Sequence, residues 1–255
     1  YIVLIEKGGR MQNVVSSLNL TVECQEADYK GNYRISALFS KLSDLATQNA
    51  IKVGIWNPEL GDHYGFVLSK ETMVLKRPIK VDEKIVLHTR AADRKRIQFI
   101  RNYWVNDENG DEIAAMYSLW TLIDLKNRRI IKPEKAGIVM PELKPYQYTI
   151  ESYHEIKKDL ELTYVMNRQV LYSDVDVNQH MNNSRYIEWA LDAIAMEVFD
   201  NKYFSEVSVF FKKEMAPGTV AKIYRYIDDE YVKIVFKSED EEIDYFEFGG
   251  YLVAV

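Results

Sequence analysis

The sequence predicts an α+β protein built from two similar halves. Three features carry that reading. An apolar helix pattern stands near the start of each half, and runs of period-two alternation follow each helix. Between the halves, 132–145 has neither period and holds Pro133, Gly137, Pro141 and Pro145. The order strand, helix, antiparallel strands, stated twice, marks an internal repeat.

In the first half, Leu20, Val22 and Cys24 alternate weakly and predict a strand over 19–26, before a polar turn at Asp28-Tyr29-Lys30-Gly31-Asn32. Ile35, Leu38, Phe39, Leu42, Leu45, Ala46 and Asn49 then fall at helical spacing, with Gly54 as the stop. Strands are predicted over 65–75 and 84–90. A long hairpin follows, in which Phe99, Arg101, Tyr103 and Val105 alternate up to Asn106-Asp107-Glu108-Asn109-Gly110 and Ile113, Ala115, Tyr117 and Leu119 resume the period. In the second half, a polar run enters a helix that is apolar around most of its circumference over 186–199. Strands at 204–212, 219–227, 231–237 and 243–255 complete it. The expected organisation is a first domain over 1–137, a connection over 138–162, partly extended, and a second domain over 163–255.

With 255 residues, 47% of them hydrophobic, the chain can bury a substantial core. A net charge of -6 argues against general nucleic-acid binding. Cys24 is the single cysteine, which rules out an intrachain disulfide and fits a reducing compartment. His63, His88, His154 and His180 lack a metal-ligand spacing, so neither metal nor cofactor is expected. The apolar run after Tyr1 is too short to span a bilayer and lacks the flanks of a signal peptide. A cytoplasmic protein without a membrane partner is expected. The chain opens on Tyr, with Met11 a candidate native start and residues 1–10 a candidate added leader.

The chemistry concentrates in Asp174-Val-Asp-Val-Asn-Gln-His-Met-Asn-Asn183. In extended backbone Asp176, Asn178 and His180 share one face, at the mouth of a helix whose free first-turn N–H groups favour negative charge. A carboxylate, a carboxamide and an imidazole so placed suit attack of water on a polarised carbonyl. The same residues also read as turn formers and helix caps, with His180 a hydrogen-bonded structural histidine.

Asp176-Val-Asn-Gln-His-Met-Asn-Asn-Ser-Arg-Tyr-Ile-Glu-Trp189 resembles the signature of the acyl-acyl-carrier-protein thioesterases, in which a D-x-N-x-H-x-N-N run enters the central helix of the second hotdog domain. The stretches 65–82, Arg101-Asn102-Tyr103-Trp104-Val105, Ser118-Leu119-Trp120, Asp124 and Arg128-Arg129 are similar to the family's first domain. Phe210-Phe211-Lys212-Lys213-Glu214-Met215 is similar to the segment in which the family places a catalytic glutamate. The resemblance implies two tandem hotdog domains, each a long central helix wrapped by a curved antiparallel sheet. The first would hold the fatty chain and govern its length.

The implied activity is hydrolysis of long-chain acyl-acyl-carrier-protein thioesters to free fatty acid, ending fatty acid synthesis. The implied partner is acyl carrier protein, with the acyl chain on phosphopantetheine; a homodimer stays open. Asp176, Asn178, His180 and Glu214 are the implied catalytic residues. Asn178 would donate to the carbonyl oxygen, His180 and Glu214 would orient and deprotonate the water, and Asp176 would hold Asn178 or His180 in register or, alternatively, attack covalently. Which of Glu214 and His180 takes the proton is open. Where the family often has a cysteine after the glutamate, this chain has Met215, which cannot act as a nucleophile, and Cys24 lies in the wrong half. The first half has Asp28, Lys30 and Asn32 in the corresponding loop, without an imidazole, so one active site per chain is expected. The competing readings are an acyl-coenzyme-A thioesterase on the same fold, a non-catalytic acyl-binding module, and a hotdog dehydratase. For carrier docking, the candidate patches are Arg94-Lys95-Arg96 with Arg101, and Lys212-Lys213.

Overall fold

The period-two runs of both halves pair into one antiparallel sheet. A computed structural model describes residues 15–138 and 147–255. The expectations for residues 1–14, including the leader and Met11, and for 139–146, including Pro141 and Pro145, lie outside the described residues. The first half comprises β1 (Ser16–Thr21), α1 (Ile35–Lys52), β2 (Tyr64–Leu75), β3 (Lys84–Lys95), β4 (Gln98–Asp107), β5 (Glu112–Asp124) and the short β6 (Arg129–Ile130). The second comprises β7 (Thr163–Gln169), α2 (Asn183–Asp192), β8 (Lys202–Phe211), β9 (Val220–Ile227), β10 (Tyr231–Lys237) and β11 (Asp244–Ala254). The strands run β1-β3-β4-β5-β2-β8-β11-β10-β9-β7, with β6 beside β5.

The halves join where β2 pairs with β8, in the register Lys70↔Phe210, Thr72↔Ser208 and Val74↔Glu206. Thr72 and Ser208 sit opposite each other at the centre and share a buried hydroxyl hydrogen bond of 2.8 Å. Helices α1 and α2 pack on the inner face of the sheet. The apolar stripe read from the sequence, Leu38, Phe39, Leu42, Leu45 and Ala46, is the buried face of α1, and Gly54 follows the helix at φ +73°.

Three elements differ from expectation. The first strand is Ser16–Thr21 rather than 19–26, because Cys24–Glu26 turns into a 3-10 helix. Strand β3 runs on to Lys95, carried by its pairing with β4 past a bulge between Ala91 and Asp93. The second helix covers only Asn183–Asp192, and Met196–Phe199 forms a separate 3-10 turn. Side chains from elsewhere take carbonyls from the helix end through the 3-10 turn: Arg225 donates to Ala193 O at 2.7 Å, Tyr29 to Met196 O at 2.9 Å, and Lys30 to the carbonyls of Phe199 and Asp200.

The connection crosses the outer face of the sheet, and this crossing explains several polar side chains there. Asn102 Nδ2 donates to Ile150 O at 2.8 Å, the His154 amide to Thr72 Oγ1 at 3.0 Å, and Lys233 Nζ to Lys157 O at 2.8 Å. An extended segment has no backbone partners of its own, so the sheet's side chains supply them. The segment's own Ile150 and Ile156 are buried, Ile150 among Ile100, Ala115, Tyr117 and Leu119 of the sheet. Among the described residues no helix is long and apolar enough to cross a membrane.

Candidate active site

Each half enters its helix through the same pinched turn. In the second half an isolated bridge, Val175↔Met181, closes the loop, and inside it the Asp176 amide donates to His180 O and the Gln179 amide to Asp176 O, both at 3.0 Å. Gln179 adopts a left-handed conformation at φ +62°. Asp176 accepts from the Asn178 backbone amide at 2.8 Å and from Asn178 Nδ2 at 3.4 Å. The expected extended alternation is therefore wrong. Asp176, Asn178 and His180 are gathered by a tight turn, because the Asp176 carboxylate satisfies an amide two residues on and so favours reversal over a strand. Val177, at the tip, is 96% exposed.

Glu214 comes from the segment after β8. The Met181 amide donates to Met215 O at 2.9 Å, and the Met215 amide donates to the Tyr186 hydroxyl at 2.8 Å. Tyr186 is itself fixed edge-on to Phe211, centroids 5.4 Å apart. Met215 is fully buried by these contacts, and the residue before it faces the turn: Glu214 Oε2 lies 3.5 Å from His180 Nε2. The Arg128 guanidinium, from the turn between β5 and β6, contacts the same oxygen. That oxygen is buried, yet neither neighbour is aligned with it as a hydrogen bond. In the first turn of α2, the Asn182 side chain already takes the Ser184 amide and Asn182 O the Arg185 amide, which narrows the free N–H groups expected there.

These groups line one cavity of about 920 Å³ that both halves form. Asp176, Asn178, His180 and Glu214 border it together with Trp56, Phe66, Phe99 and Trp120. Phe66 stands edge-on to Trp56 and to Phe99, with centroids 5.6 and 4.8 Å apart, so the first half supplies a rigid aromatic wall. In the sequence Arg128 stands out only as part of the family resemblance, without a role. A positively charged turn residue carries no local pattern that points to a glutamate 86 positions on.

The first half repeats the turn without the chemistry. Ala27↔Tyr33 is its bridge, and Gly31 takes the left-handed position at φ +70°. Lys30 stands where the second half has Asn178, and Asn32 where it has His180. The Tyr33 amide donates to Ile79 O at 2.7 Å, matching Met181 to Met215, so Pro78 holds the place of Glu214. Lys30 is committed to the Phe199 and Asp200 carbonyls, and Lys80 donates to Asn32 Oδ1 at 2.5 Å.

Two expected docking patches change character. Arg101 is 7% exposed and donates to Asn49 Oδ1 at 2.7 Å and Thr89 Oγ1 at 3.3 Å, inside the molecule, since its side of β4 faces α1. Arg94 pairs with Glu134 at 2.6 Å. Lys212 is bound to Asp244 at 2.9 Å and Glu247 at 2.5 Å; burial opposes its charge, but these partners outweigh it and hold the ammonium above its usual range. Lys95, Arg96, Lys212 and Lys213 are the exposed members of the two patches, and of these Lys212 has its ammonium held by the two carboxylates. Among the described residues no group of three or more His, Cys, Asp or Glu side chains is arranged to hold a metal ion.

One curved sheet around two helices, each entered through the same turn and only the second turn bearing an imidazole and a facing carboxylate, defines a tandem hotdog protein with an asymmetric site. The family models for the acyl-ACP thioesterase N-terminal and C-terminal domains match residues 14–136 and 148–245. The chain belongs to the acyl-ACP thioesterase family. It is 22% identical over 233 residues to an acyl-[acyl-carrier-protein] hydrolase of Cuphea viscosissima, covering 84% of this chain and 55% of that protein. It is likewise 22% identical over 237 residues to a palmitoyl-acyl carrier protein thioesterase of Gossypium hirsutum, covering 85% and 56%. The chain thus spans little more than half the length of these relatives. Its fold is similar to the crystal structure of an acyl-ACP thioesterase from Bacteroides thetaiotaomicron, with a TM-score of 0.84 at 23% identity over 94% of this chain and 98% of that one. It is also similar to the 12:0-ACP thioesterase from Umbellularia californica, with a TM-score of 0.79 at 14% identity over 94% of each chain.

Proposed function

We propose that the protein hydrolyses long-chain acyl thioesters of acyl carrier protein to free fatty acid, with Asp176, Asn178, His180 and Glu214 as the catalytic set. The observation that carries this reading is the meeting of His180 and Glu214, 3.5 Å apart, on a cavity with aromatic walls. An acyl chain gains about 0.8 kcal/mol for each CH₂ buried against such walls. In this reading 1–137 is the acyl-binding half, 163–255 the catalytic half and 138–162 the connection.

The reaction needs a water, a donor for the carbonyl oxygen and a proton acceptor. Asn178 Nδ2 donates to the thioester oxygen as charge develops on it; its present bond to Asp176 is long enough, at 3.4 Å, to be exchanged without great cost. The water binds between His180 and Glu214 and gives that pair its proton as its oxygen bonds to the carbonyl carbon. Collapse of the tetrahedral intermediate breaks the C–S bond, and the proton passes to the departing sulfur. Asp176 holds Asn178 through its backbone amide at 2.8 Å. Met215, fully buried, and Cys24, exposed in the first half, take no part.

His180→Ala, Asn178→Ala and Glu214→Gln should each lower fatty-acid release from acyl-acyl-carrier-protein by at least about a hundredfold, with unchanged melting temperature. Cys24→Ser should keep full turnover. A folded His180→Ala protein with near-normal release overturns the assignment. Equal turnover of coenzyme-A and carrier thioesters would move the substrate to the broader thioester class.

A further inference from the structure

The first half sends one charged side chain into the polar site of the second. We propose that Arg128 is a positioning residue: its guanidinium, reaching across from the β5–β6 turn, fixes the Glu214 carboxylate toward His180 and the attacking water. The proposal rests on the reading that Glu214 acts in the hydrolysis.

The backbone at Glu214 is held firmly, through the Met181 amide on Met215 O and the Met215 amide on Tyr186. Its side chain is not held by that segment. Neighbouring Lys212 is committed to Asp244 and Glu247, so it is Arg128 that supplies the opposite charge at Glu214 Oε2, with His180 the other close group. A carboxylate at the end of three rotatable bonds samples several orientations unless something selects one, and the guanidinium charge held against Oε2 selects one.

The turn that carries Arg128 is rigid. Asp124 Oδ1 accepts from the Asn127 amide at 2.8 Å and from Asn127 Nδ2 at 3.2 Å, while Ile123↔Ile130 and Asp124↔Arg129 close the ladder around it. Arg128 adopts φ +51°, a conformation that glycine or asparagine accepts with less strain. Stability is a poor reason for the pair, because the two side chains are 48% and 36% exposed and such ion pairs contribute little. What the contact does accomplish is to place the orientation of a second-half carboxylate under the control of the first half, so that the site is complete only when the two are docked.

The test is steady-state kinetics on the full chain with an acyl-acyl-carrier-protein and a small soluble acyl thioester, for Arg128→Ala, Arg128→Lys, Glu214→Gln and the double variant Arg128→Ala/Glu214→Gln. Arg128→Ala should lower kcat about tenfold on both substrates with KM little changed, and Arg128→Lys should recover part of the loss. In the Glu214→Gln background, with residual turnover measured at excess enzyme, removing Arg128 should change the rate by less than about twofold, because the two residues act as one unit. Equal fractional losses in both backgrounds overturn the proposal. So does a raised KM for the carrier substrate alone, which would make Arg128 a contact for the carrier's anionic groups, and so does wild-type turnover in Arg128→Ala. If Glu214→Gln itself turns over normally, the catalytic reading of Glu214 fails first and the proposal with it.

Discussion

Glu71 shows what a single residue can cost in this fold. It lies on the inner face of β2, 3% exposed, with Ser118 and Val209 as its cross-strand neighbours. Burial pushes its carboxyl well above the ordinary carboxylate range. Between the unfolded value, about pH 4.3, and the higher folded value, the native state binds more protons than the unfolded chain. Stability from this group is therefore complete at low pH and is lost as pH rises through that window. Glu71→Gln should match the wild type in melting temperature near pH 4 and become progressively more stable than it as pH rises. A pH-independent difference would mean the carboxyl is not neutral in the fold. Glu71 belongs to a polar layer inside the first half, where Tyr103 and Trp120 both meet Ser118 Oγ, at 3.2 and 2.8 Å, and Arg101 meets Asn49.

At the scale of elements, the crossing segment depends on a glycine in the strand beneath it. A Cβ at Gly249 in β11 would run into the Tyr231 hydroxyl and the Ile156 side chain. Tyr231 uses that hydroxyl to accept the Lys157 amide at 3.1 Å, so it cannot turn away without freeing the segment. Gly249→Ala should destabilise by about 1–3 kcal/mol through overpacking, and amide exchange should rise first at 154–158. Unchanged exchange there, with or without a change in melting temperature, would show that the segment is held by its other contacts.

For the whole molecule, the β2–β8 junction makes the halves interdependent. Separated, each would present a long unpaired strand edge, and edges of that kind seek new partners. The first half alone, expressed as residues 15–138, should associate or precipitate rather than elute as a monomer. Mixing it with the second half should restore a monodisperse species. A stable, monomeric first half would mean the junction contributes little to folding. The cavity, lined from both sides, gives the same answer for function: neither half holds a complete site.

The sequence alone determined the elements whose residues repeat at a fixed period. The buried stripe of α1, the β4–β5 hairpin and the strands after α2 are local patterns, and a stripe or an alternation is legible wherever one face must leave water. It also singled out Asp176, Asn178, His180 and Glu214, through composition and resemblance, without their geometry. Tertiary structure decided what depends on distant chain. The turn at 176–180 replaced the expected extended backbone because a carboxylate cap and a left-handed Gln179 outweigh alternation over five residues. The second helix ended at Asp192, where the Arg225 guanidinium from β9 takes the Ala193 carbonyl that a further turn would have used. Arg101 turned inward because Asn49 and Thr89 await it there. Arg128 reaches Glu214 only because β2 and β8 lie side by side, and no spacing along a chain encodes a contact between strands that meet after folding.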